Sequence, residues 1–225
     1  MRNAIVTDIH ADRAAFEAVL ADIATRQIDR LVFLGDYVGY GHDINWVLDK
    51  VQDLALHGAL TLRGNHDRTQ PALHISPAAR RVIDQTVNRL TARQKLFLAE
   101  LSLSLRDGAN LFVHASAHEP QDWHAVCDIA SARQCFAASD AHFICVGHTY
   151  VPALFCQDDQ GRVDICPIDK EAEITLSPDR RWLAVVGPVS QPHNPRAHNG
   201  RVRAQYCIND SVAQSLRYVR LRAVA

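Results

Sequence analysis

The 225-residue sequence contains nothing close to the roughly 18 consecutive apolar residues that a membrane-spanning helix requires. Its opening, Met1 to Asp8, meets charge at Arg2 and again at Asp8, with no long apolar run between, so no signal peptide is expected. Net charge is nearly absent: 24 Lys and Arg against 25 Asp and Glu leave −1. That balance excludes a strongly basic nucleic-acid binder and an acidic disordered tail. Also missing is any C-x-x-C pair. The six cysteines, at 127, 135, 145, 156, 166 and 207, follow no regular spacing, and a chain of this length needs no disulfide to hold a core. Reduced thiols and a cytoplasmic location are expected. G-x-G-x-x-G, P-loop, H-E-x-x-H and G-x-S-x-G motifs are all lacking, which removes the commonest nucleotide, zinc-protease and serine-hydrolase signatures. Repeats and low-complexity linkers are absent too, so residues 1–225 read as a single domain.

What is present in excess is histidine, 12 residues, several beside Asp, Asn and Gly. The first half alternates strand and helix. Asn3 to Thr7, Leu31 to Leu34 and Ala59 to Leu62 read as strands, and residues 12–26 and 44–56 as helices. That order implies an α/β fold with a largely parallel sheet. Residues 77–101 read as helical, with Thr91 a candidate N-cap. Beyond about residue 103 strands dominate: Leu111 to His114, His142 to Val146 and Ala153 to Cys156, with a helix over 130–138. Hairpin-like pieces follow around Gly161 and Pro178-Asp179, then strands at 202–208 and 214–222. Gly187 opens a loop rich in Gly, Pro and Asn that runs to Gly200.

Polar residues fall where these strands end. Asp8 and His10 follow the first, Gly35-Asp36 the second, and Gly64-Asn65-His66-Asp67 the third; His114 and Gly147-His148 end later ones. Ligands of open α/β sheets gather outside the carboxyl ends of strands, so these residues could converge. Neutral imidazole with carboxylate suits a transition ion, and an Asn carbonyl adds a hard oxygen. Each fragment alone is a common turn or strand end; their joint order is not.

The series Asp8-Ile9-His10, Gly35-Asp36-Tyr37-Val38-Gly39, Gly64-Asn65-His66-Asp67, His114 and Gly147-His148-Thr149 resembles the calcineurin-like metallophosphoesterase superfamily. Gly39-Tyr40-Gly41 and the stretch from Gly187 to Pro192 further resemble a bacterial branch of small single-domain members. The resemblance implies a four-layer α/β/β/α sandwich with two mixed β-sheets. It implies two transition-metal ions (Mn, Fe or Zn), the first on Asp8, His10 and Asp36, the second on Asp36, Asn65, His114 and His148. Two such ions clamp a phosphate and lower the pKa of a shared water. The implied activity is hydrolysis of a phosphomonoester, phosphodiester or phosphoanhydride by direct attack of a metal-bridging water. His66 would be the general acid, oriented by Asp67. A small phosphorylated substrate is the expected partner, with neither membrane nor nucleic acid indicated. A symmetrical dinucleoside polyphosphate hydrolase and a protein Ser/Thr phosphatase are narrower alternatives; a non-catalytic metal-binding sensor or scaffold is one of another class.

The sequence departs from the family where many relatives have a second histidine in the last motif: here stands Tyr150, a candidate ligand or partner of a ligand. Gly39-Tyr40 occupy the place of the Asp-Arg of the Ser/Thr phosphatase branch, so a phosphate-binding residue must come from elsewhere; Arg68, His118 and Arg196 are the candidates. Cys127 and Arg133 have the spacing of a cysteine-dependent phosphatase loop. Asp128 beside the thiol, no intervening glycine and a helical pattern from Ile129 argue against that chemistry.

Overall fold

Alternation along β1 (Arg2–Val6) sorts its side chains between two cores. Ala4 and Val6 pack with α1 (Arg13–Ala24) and α2 (Ile44–Leu56), whereas Ile5 faces the opposite way. The architecture is that of a computed structural model describing residues 1–69, 77–168, 172–190 and 204–222, without the side chains of 77–80. One six-stranded sheet runs in the order β3 (Leu60–Thr61), β2 (Arg30–Phe33), β1, β11 (Ala204–Asp210), β12 (Ser215–Leu221) and β9 (Glu173–Thr175). The other runs β4 (Ser104–Asp107), β5 (Asn110–Val113), β6 (Phe143–Val146), β10 (Arg181–Val185), β7 (Ala153–Gln157) and β8 (Val163–Cys166). Both are mixed. β1, β2 and β3 pair in parallel, as do β5, β6 and β10, and the remaining pairs are antiparallel.

Three hydrophobic cores separate four layers. Phe16, Val19, Val47, Leu48 and Val51 of the first two helices lie on one face of the first sheet. Ile5, Val32, Leu34 and Cys207 of that sheet meet Phe112, Cys145, Leu154 and Ala184 of the second. Against the far face, α5 (Ile129–Ala137) sets Ala132, Cys135 and Phe136 on Val113, Ile144, Val146 and Leu183. The expected α/β/β/α sandwich is therefore the observed one.

Local differences from expectation have physical causes. The run 77–101 is two helices, α3 (Pro77–Arg89) and α4 (Ala92–Glu100), divided where Thr91 adopts an extended backbone and closes a capping box with Gln94. Gly161 does turn a hairpin, β7 to β8. Pro178-Asp179 does not: β9 belongs to the first sheet and β10 to the second, so the chain crosses between layers there. Asp128 caps α5 through Ser131 N–H, which makes the Cys127–Arg133 stretch a helix start rather than an anion cradle. Among the described residues, no helix is long and apolar enough to cross a membrane.

After β10 the chain returns to the first sheet at the carboxyl end of β1. Val189 N–H donates to Thr7 O at 3.0 Å and Ser190 N–H to Asp8 O at 2.9 Å. The ends of β1 and β10, from different sheets, are thereby fastened side by side.

Candidate metal centre

Asp8 and His10 follow β1, Asp36 follows β2, Asn65 and His66 follow β3, His114 follows β5 and His148 follows β6. All of these strands present their carboxyl ends to one place. Asp8, His10 and Asp36 form one group and Asp36, His114 and His148 a second, and within each group the donor atoms lie within 4.8 Å of one another. Asp36 belongs to both. Its Oδ2 lies 3.8 Å from His10 Nε2 and 3.4 Å from His114 Nε2. Asn65 joins the second group, its Oδ1 standing 3.0 Å from His114 Nε2.

Backbone carbonyls orient the rings. His10 Nδ1 faces Val38 O at 3.1 Å and His114 Nδ1 faces Leu34 O at 3.2 Å. A carbonyl can only accept, so each Nδ1 carries hydrogen, which leaves Nε2 as the ring atom turned toward the carboxylates. Asp8 is held as firmly. Its Oδ2 accepts from Thr7 Oγ1 at 2.8 Å and from His148 N–H at 3.1 Å, while Oδ1 is buried with no hydrogen-bond partner. Such an acceptor is costly unless a cation reaches it. Hard carboxylate oxygens, an amide oxygen and imidazoles fit transition ions, and the unmatched Asp8 oxygen sits in the group that would hold the first.

The electrostatics carry the same message. Burial alone would push His10 and His114 down, yet Asp8 and Asp36 raise His10, and Asp36 lifts His114 to about 9. Asp36 itself, despite complete burial, is held low by His114, His66 and His10. The buried carboxylates collect positive charge from whatever can supply it. Burial lowers His148, with His114 adding to the effect. His66 is lowered by burial and by His10 and His114, against the pull of Asp36.

Local conformation is strained to achieve this. Asp8, His10, Asp36 and His148 have φ of 56°, 49°, 56° and 69°, left-handed values that cost non-glycine residues about 1–3 kcal/mol each. Crowding fixes the neighbours: a Cβ on Gly64 would lie 2.2 Å from Asp36 Oδ1 and 2.3 Å from Asp36 N. Only glycine lets the third loop approach the second this closely.

His66 stands beside the centre. Its ring lies 5.1 Å from that of His10 and 4.9 Å from that of Tyr40, and Nδ1 is buried without a hydrogen-bond partner. Asp67 does not orient it, contrary to expectation. Asp67 Oδ2 accepts from Asp36 N–H at 2.7 Å and Gly64 N–H at 2.9 Å, and Oδ1 from Tyr37 N–H at 2.9 Å and Val38 N–H at 3.3 Å. Both oxygens are thus taken up in clamping the loops after β2 and β3. Burial and the Asp36 charge raise the Asp67 carboxyl to about 7, against the pull of these amides.

Tyr150 is in contact with the first group. Its hydroxyl lies 2.6 Å from His10 Nε2, the nitrogen an ion would need, and burial with the charges of Asp8 and Asp36 pushes the phenol pKa up. Arg68 donates through Nε to Asn65 O at 2.9 Å and lines a cleft beside the centre. The His118 ring stacks on His124 at 6.0 Å and its Nε2 lies 3.6 Å from Glu119. Arg196 lies outside the described residues. Sequence reasoning missed Trp123, whose ring meets that of His114 edge-on at 5.8 Å. It follows no strand, so strand-end logic could not find it.

Two mixed sheets between helical layers, with Asp, Asn and His gathered at the strand ends, define a metallophosphoesterase fold. The chain belongs to the calcineurin-like phosphoesterase superfamily, whose domain model matches residues 1–197. A metallophosphoesterase structure from Sphaerobacter thermophilus is 30% identical with a TM-score of 0.83, the match covering 100% of this chain and 90% of that one. An uncharacterized protein of Methanocaldococcus jannaschii is 28% identical over 226 residues, 97% of this chain and 86% of the relative. A hypothetical protein from Pyrococcus horikoshii OT3 shares the fold at 14% identity and a TM-score of 0.73, over 99% of this chain and 88% of that one.

Proposed function

We propose that the chain is a metal-dependent hydrolase of phosphate esters or anhydrides that works with two transition ions. The observation that carries this reading is the sharing of Asp36 between two donor groups, one of which includes Asp8 Oδ1, buried without a hydrogen bond and 3.7 Å from His10 Nε2. Asp8, His10 and Asp36 would hold one ion, and Asp36, Asn65, His114 and His148 the other. When bound, the pair neutralises phosphate charge and lowers the pKa of a coordinated water.

The chain's own groups do the rest. Carbonyls of Val38 and Leu34 hold Nδ1 of His10 and His114, so both rings direct Nε2 at the shared carboxylate. His66 supplies a proton to the leaving oxygen. Its main-chain N–H donates to Asp36 Oδ1 at 2.8 Å, which ties the acid to the shared carboxylate. Asp67 sets the spacing of the two loops on which Asp36 and His66 ride.

Elemental analysis of purified protein, paired with hydrolysis of p-nitrophenyl phosphate and bis-p-nitrophenyl phosphate, tests the reading. Two ions per chain and chelator-sensitive turnover of either ester are expected. Two ions without turnover of these or of a panel of phosphorylated metabolites would instead mark a metal-binding sensor.

A further inference from the structure

Beside the metal centre lies a cleft of about 450 Å³ lined by Arg63, Gly64, Asp67, Arg68, Gln121 and Trp123 among others. Arg63 and Arg68 are residues of intermediate burial, and among the described residues neither side chain is ion-paired with a carboxylate. A guanidinium without a carboxylate partner keeps donors available to a phosphate. Asp67, which shares the cleft, has both oxygens on backbone amides and leaves the arginines uncompensated. The cleft is joined to the centre at two points. Arg68 Nε holds Asn65 O at 2.9 Å, and Trp123 packs edge-on against His114 at 5.8 Å. Its volume far exceeds one phosphoryl group and falls in the range of small-molecule sites.

We infer that Arg63 and Arg68 form a subsite for a second phosphoryl group of the substrate, which places the substrate among phosphoanhydrides and closely bisphosphorylated compounds rather than simple monoesters. The inference rests on the phosphoesterase reading for the position of the reacting phosphate. Planar guanidinium forks match phosphate oxygens two at a time. One phosphate at the ions and a second against the arginines would bracket Asn65, with Trp123, which lines the cleft and packs on His114, beside them.

Calorimetry on the metal-loaded protein with methylenediphosphonate and methylphosphonate tests this, because neither P–C bond is hydrolysed by an esterase. The wild type should bind the diphosphonate about tenfold tighter or more, the scale of one charge-assisted hydrogen bond. Arg63→Gln, which disturbs no contact to Asn65, should collapse that ratio, and Arg68→Lys should reduce it while metal content stays at the wild-type level. A ratio unchanged in both variants means that the ions alone hold the diphosphonate, and overturns the subsite. Equal affinity of the wild type for the two probes overturns it as well. Preferential binding that depends on Arg63, in a protein that hydrolyses no phosphoester, would sustain the subsite and defeat the catalytic reading instead.

Discussion

Replacing Asp67 by Asn probes the clamp beneath the centre with a change of one atom's chemistry. The carboxylate accepts four backbone N–H groups, two on each oxygen. An amide keeps one oxygen, so either Asp36 and Gly64 or Tyr37 and Val38 lose their acceptor. Their N–H groups then face an NH₂, donor against donor. Each buried N–H left unsatisfied costs about 1–3 kcal/mol, so two should cost about 2–6 kcal/mol. For a chain of this size each kcal/mol lowers Tm by about 2–4 °C, which sets the expected fall on the order of 10 °C. His66→Ala, by contrast, removes a ring with no hydrogen bond at Nδ1 and should move Tm by no more than about 3 °C, within the usual range for a partly exposed site. Calorimetric scans of both variants, with metal analysis alongside, decide the matter. An Asp67→Asn protein melting within experimental error of the wild type, with its ions in place, would refute the clamp. An Asp67 that served only to orient His66 would give that result.

Asp36→Asn should lose both ions and nearly all activity, since a neutral amide cannot balance two cations; retention of two metals by elemental analysis would count against sharing. Tyr150→Phe frees His10 Nε2 from a competing hydrogen bond, so the first site should tighten about 2- to 10-fold in metal titrations. Tyr150→His should tighten it further, and weakening in the Phe variant would show the phenol to be a ligand. His66→Ala should lose about 10²–10⁴ in rate on alkyl phosphates and distinctly less on p-nitrophenyl esters, whose leaving group needs no proton. Equal losses on both would exclude the acid role.

Much of this arrangement is legible in the sequence, because its logic is local. A short apolar run followed by Asp-x-His or Gly-Asp states both the strand and what stands at its end, and parallel pairing brings the ends together. Legibility failed where the same letters serve two physical ends. Asp67 reads as a partner of the adjacent histidine, but in the folded chain its nearest unsatisfied donors are amides of a loop some 30 residues earlier. Pro178-Asp179 reads as a hairpin turn, since nothing local records that β9 and β10 belong to different sheets. Trp123 reaches the centre through tertiary packing alone, and no periodicity points to it.

The centre also shows why its loops cannot be relaxed for stability. Left-handed backbone at Asp8, His10, Asp36 and His148 costs free energy, as does a buried Asp8 oxygen without a donor. None of these features benefits the folded chain by itself. A right-handed backbone at Asp36 would withdraw its Oδ2 from between His10 and His114, and a donor added for Asp8 Oδ1 would occupy the place of a cation. The surrounding structure holds the strain. Asp67 ties the second loop to the third, Gly64 allows the contact, and Val189 and Ser190 fasten the Thr7-Asp8 backbone from the other sheet. These are the positions where bound ions should stabilise most. Metal added to depleted protein should therefore raise Tm in proportion to occupancy, and protein whose Tm ignores added Mn, Fe and Zn would show that the strain serves something other than metal.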